Sequence, residues 1–164
     1  MKLNLLLATA LLLTGLMMTS CGGDDDLAST SFDYGFNTAT PYVGTHSDDL
    51  TAEMTVTELE SGNTMINVEL TNTVDGVTYN IHAHDAADAS STPNGTPYNE
   101  SPNSAVFAQQ LVGNGGTASI SQETTLDYTA VTTTYDGFFV VHDPLQDIST
   151  VDLSTYLIVG AFAR

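Results

Sequence analysis

The pattern that most narrows what this chain can fold into is an alternation. In "AEMTVTELE", Met54 and Val56 fall on one side and Glu53, Thr55 and Thr57 on the other. After "SGN" the pattern resumes in "TMINVELTN", where Ile66, Val68 and Leu70 oppose Asn67, Glu69 and Thr71. A period of two sends successive side chains to opposite faces of a strand. No window of helical length carries a convincing 3.6-residue period. The dipeptide Asp75-Gly76 is a favoured hairpin turn, and "VTYNIHAH" follows it as a third strand. "AVFAQQL", "TASISQETT", "GFFVVH" and "TYLIVGAFA" read as further strands, and "TTLDYTAVTTTYDG" as an irregular piece between two of them. Short strands, regular turns and no helix predict an all-β fold, an antiparallel Greek-key sandwich or flattened barrel of about seven or eight strands. There is no internal repeat.

The N-terminus is of another kind. "MKLNLLLATALLLTGLMMTSC" has one lysine, a long apolar run, then small residues and a cysteine. The run is shorter than the roughly 20 residues of a bilayer-spanning helix, so it reads as a signal peptide over residues 1–20. "LMMTSC" resembles a bacterial lipobox, with Met18 where leucine is commoner. The resemblance implies that Cys21 is lipidated and becomes the first mature residue. "GGDDDLASTS" then reads as a flexible acidic tether over residues 21–31. It resembles the acidic export tag of some Gram-negative surface lipoproteins, which implies the outer membrane. One domain, 32–164, is expected to follow. Cys21 is the only cysteine, so no disulfide can staple that domain, and packing or a metal must hold it.

Twenty Asp and Glu stand against two Lys and Arg, a formal net charge of −18. Such a surface repels nucleic acid and anionic headgroups. Membrane attachment is therefore expected through the acyl chains at Cys21.

The chemistry concentrates in histidines. On the third strand Val77, Tyr79, Ile81 and Ala83 share one face, and Thr78, Asn80, His82 and His84 the other. The apolar set belongs inside, so the two imidazoles look away from the core. They form either a metal site or a polar stripe facing water. His142 ends the apolar strand "GFFVVH", and a long interval rich in Pro, Asn, Ser and Gly, residues 85–104, lies between. Long loops in compact domains are often functional.

The pattern H-x-H at His82 and His84, then V-V-H at His142 and the tail "VVHDPLQDISTVDLSTYLIVGAFA", resembles the copper/zinc superoxide dismutases and the related CHRD domains. The resemblance implies a β-sandwich in which His82, His84 and His142 are copper ligands. It also implies what is missing: Pro97 stands where the dismutases place a copper–zinc bridging histidine, and Tyr156 stands near the place of their anion-steering arginine. Three neutral imidazoles suit copper or, less well here, zinc, and three ligands leave an open position. Asp85, Asp88 and Asp143 are candidates to orient the imidazoles from behind. His46, in "VGTHSDD", is expected to be an exposed loop histidine and not a fourth ligand. The sequons at Asn94 and Asn99 carry little weight in a bacterial lipoprotein.

The expectation is thus a lipid-anchored envelope protein binding one copper ion, without dismutase activity. The alternatives are a zinc-free dismutase-like enzyme, a three-histidine zinc hydrolase using Asp85 or Asp143 as base, and a metal-free adhesion or coat lipoprotein.

Overall fold

The structure is a computed structural model that describes residues 26–38, 40–87, 98–149 and 152–164. The signal peptide, Cys21, Asp88, Asn94 and Pro97 lie outside the described residues. Among the described residues nine strands form two antiparallel sheets, one strand more than the upper expectation. They are β1 (Ser29–Tyr34), β2 (Thr51–Glu58), β3 (Thr64–Thr71), β4 (Thr78–Ala86), β5 (Tyr98–Pro102), β6 (Ala108–Val112), β7 (Ala118–Thr124), β8 (Gly137–His142) and β9 (Tyr156–Ala161). The first sheet runs β1-β2-β3-β7, and the second runs β5-β4-β8-β9 with β6 also paired to β4. The chain therefore crosses between sheets after β3, β6 and β7. Among the described residues no helix is long and apolar enough to cross a membrane.

Alternation does what the sequence requires. Met54, Val56, Ile66, Val68 and Leu70 are fully buried, and they meet Tyr79, Ile81, Ala83, Phe139 and Val141 of the other sheet in one core. Removing that apolar area from water is the main stabilising term. Gly62 and Gly76 both take positive φ in the turns flanking β3, a conformation glycine adopts without steric cost.

Two strands were not legible. β1 begins at Ser29, so Ser29–Ser31, expected in the tether, pair instead with Thr57, Val56 and Thr55. β5 lies inside the interval read as loop, and Asp85 and Ala86 from its start belong to β4. β5 and β6 share one edge of β4: β6 pairs with residues 78–82 and β5 with His84 and Ala86. "TTLDYTAVTTTYDG" does hold an irregular piece, a π-helical turn at Ala130–Thr134. Arg164 closes its end by donating to the carbonyls of Thr132, Thr133 and Tyr135.

Candidate metal centre

β4 supplies two imidazoles because residues two apart share a face. β8 supplies the third. Its register against β4 pairs His82 with Val140 and His84 with Phe138, so Val140 and Phe138 stand on the histidine face. His142 is two residues beyond Val140 and lies diagonally across from His82, within side-chain reach. The ring centroids are 5.2 Å apart for His82–His142, 5.7 Å for His82–His84 and 6.3 Å for His84–His142. One ring nitrogen from each histidine falls within 4.8 Å of the other two. Three atoms so spaced lie within about 2.8 Å of a shared centre. Copper–nitrogen or zinc–nitrogen bonds of roughly 2.0–2.1 Å therefore require side-chain shifts of under about 1 Å.

Two of the three histidines are buried, and His82 is half-buried. His84 is 3% exposed and His142 4%, because a second layer covers this face. Tyr98, Val140 and Tyr156 form a small apolar cluster there, joined by Phe138, Leu153 and Val159. Tyr98 packs on His84 at 4.8 Å and Tyr156 on His142 at 4.7 Å, centroid to centroid. Tyr156 reaches this face through a bulge. The β8–β9 register shifts between Val141 and His142, leaving Leu157 as the extra residue, so Leu157 and Ile158 both enter the main core. In a regular strand Tyr156 would share the face of Ile158 and point inward.

The nitrogens tell the same story. His84 Nδ1 lies 2.8 Å from the Asn99 carbonyl oxygen and donates to it. That fixes the tautomer and leaves Nε2 with a bare lone pair. His84 Nε2, His82 Nδ1 and His142 Nδ1 are buried without a hydrogen-bond partner. Buried polar atoms are nearly always satisfied, so three orphans in one place demand an explanation such as an ion. Burial disfavours the imidazolium form, with mutual repulsion adding to it, and pushes His82 down to about 4 and His142 to about 3. His84 is lowered for the same leading reason, although the Asn99 contact and nearby carboxylates oppose it. All three are neutral at pH 7, the form that binds metal.

The cluster opens into a cavity of about 230 Å³. Its other walls are Glu100, Pro102, Ile148 and Tyr156. Glu100 and Pro102 come from β5, so their share in the site was hidden with that strand. Only the sequon letters "NES" drew attention to the position.

Three expectations need correction. Asp85 is exposed and accepts from Asn103 and the Tyr135 hydroxyl, not from an imidazole. Asp143 is buried, but it accepts from the Tyr42 hydroxyl, the Leu145 amide and Gln146. The residue that orients a histidine from behind is Asn99, through its backbone. His46 is not exposed: it is 5% exposed, with Nδ1 donating to the Ser47 carbonyl and Nε2 taking the Tyr79 hydroxyl proton at 2.7 Å. It stands apart from the three-histidine cluster. Its backbone amide donates to the Tyr42 hydroxyl, so Asp143, Tyr42 and His46 form one knot that ties the segment before β2 to the end of β8. A Cβ at Gly44 would fall 2.1 Å from the Tyr42 hydroxyl, so a side chain there would push Tyr42 and Gln146 out of this knot.

Comparison with protein-family models, with curated proteins and with solved structures gives no match. The resemblance to the dismutase and CHRD families therefore rests on the three histidines and the tail of the sequence.

Proposed function

We propose that this protein is a lipid-anchored cell-envelope protein whose β-sandwich binds one copper ion through His82, His84 and His142. The observation that supports it is the convergence of three histidines, each offering one ring nitrogen within 4.8 Å of the other two and each carrying a buried ring nitrogen without a hydrogen-bond partner. Imidazole donors suit copper and zinc, and an equivalent site holds copper(II) more tightly than zinc. Placement in the outer membrane rests on the lipobox-like Cys21 and the acidic residues after it.

Binding is favoured over turnover. The domain's one arginine is engaged with backbone carbonyls at the far end of a helical turn. A net charge of −18 opposes long-range steering of an anion such as superoxide. Asp85 and Asp143 are committed to other partners, which weakens the hydrolase alternative.

The test is copper uptake by the purified, metal-stripped protein. One equivalent of Cu(II) is expected, with quenching of tyrosine emission from Tyr98 and Tyr156, which the chain's lack of tryptophan makes visible. His82→Ala or His142→Ala is expected to weaken uptake by a hundredfold or more, on the order of losing one of three ligands. Uptake unchanged in both variants would refute the reading.

A further inference from the structure

The open side of the three-histidine cluster has a character of its own. Pro102, Ile148 and the Tyr156 ring line it with apolar surface, and among the described residues Glu100 is the one charged side chain in its walls. Glu100 lines the same cavity as the three imidazoles, and its negative charge acts on His84, Tyr98 and Tyr156. It is nevertheless not among the groups whose ligand atoms converge. Among the described residues no cationic side chain lines the cavity. At about 230 Å³ it exceeds several times the roughly 30 Å³ that one liquid water occupies, enough for a five-membered ring.

These surroundings select among molecules that could complete a metal's coordination. An anion would shed its hydration in an apolar slot and meet a carboxylate there. A small neutral nitrogen donor avoids both costs, and a flat ring can pack on Tyr156 and Ile148. We infer that the open position takes a small neutral nitrogen donor of imidazole size in preference to an anion, and that Glu100 determines this specificity. The inference rests on the metal reading above.

The experiment uses copper-loaded protein at pH 7.5, with one bound equivalent verified before titration and retention of copper verified after it. Imidazole and azide are titrated separately, followed by the visible absorption and paramagnetic resonance of the copper. Relative to aqueous copper(II), the wild-type preference for imidazole over azide is expected to be larger by about tenfold, the scale of one nearby carboxylate. Glu100→Gln is expected to remove most of that excess by tightening azide, with imidazole little changed. An unchanged ratio in Glu100→Gln would overturn the proposal. So would a copper spectrum altered by Glu100→Gln before any ligand is added, since Glu100 would then be a ligand itself. A protein that takes up no copper refutes the metal reading, whereas azide binding as well as imidazole refutes only this inference.

Discussion

The outer faces of the two sheets are built from opposite materials. On the first sheet, strand registers align Ser31, Thr55, Asn67 and Ser121 in one row, and Asp33, Glu53, Glu69 and Ser119 in the next. Hydroxyl and amide groups bridge the first row, Ser31 to Thr55 and Ser121 to Asn67, each at 2.9 Å. The second row sets three carboxylates side by side. This face needs no cover because water satisfies it. On the second sheet Phe138, Val140 and His142 point outward and are covered by Tyr98, Tyr156 and Leu153. Polar atoms placed there lose water, and those without a protein partner are left to a ligand. The same two-residue period thus gives a solvated surface on one sheet and a buried centre on the other. The difference lies in what packs on top.

The contrast can be broken most forcefully through the cover. Tyr98→Ala removes a fully buried ring and should cost about 3–5 kcal/mol, whereas Ser121→Ala on the open face should stay within about 0.5 kcal/mol. Urea denaturation of both variants measures the gap, and equal effects would mean that the second layer contributes no packing.

A second test sharpens the contrast through protons. His82, His84 and His142 have lowered folded pKa values, while the unfolded chain titrates near the usual 6.5. Between the two, the unfolded state binds protons that the folded state refuses. The metal-free protein should keep this stability above about pH 6.5 and lose it as pH falls toward about 4. Denaturant midpoints at a series of pH values check the sign. In the His82→Asn, His142→Asn double variant the slope over this window should flatten, and a persisting slope would assign it to other groups.

The smallest effect lies on the open face. Glu53 is flanked directly by Asp33 and Glu69, and like charges opposite one another destabilise a sheet. Glu53→Gln keeps an acceptor for the Ser31 and Thr55 hydroxyls and should stabilise by about 0.2–1 kcal/mol at low salt. The gain should shrink as salt screens the row. A destabilised variant would show that the carboxylate is needed there.

Much of the covered face could have been anticipated. β2 and β3 alternate, but "GFFVV" in β8 is apolar without a break, the mark of a strand buried on both sides. His84 and His142 therefore belonged to a covered face and not to a solvated stripe. β5 was harder to see, because "YNESP" carries turn formers and no alternation, and pairing with the edge of β4 makes it a strand. Glu100 was hidden for that reason. His46 was misread because a polar segment around a histidine says nothing about the Tyr79 hydroxyl arriving from another strand.

Alternation is a local property, and it determined by itself that this chain forms strands, which residues line the core, and that His82 and His84 share the face away from it. The placement of His142 beside them, the turn of Tyr156 outward at the Leu157 bulge, and the burial that leaves three nitrogens unpartnered were decided by tertiary structure. Each depends on the register between strands far apart in sequence. Register is set by packing and pairing across the whole fold, and no short window of residues contains it.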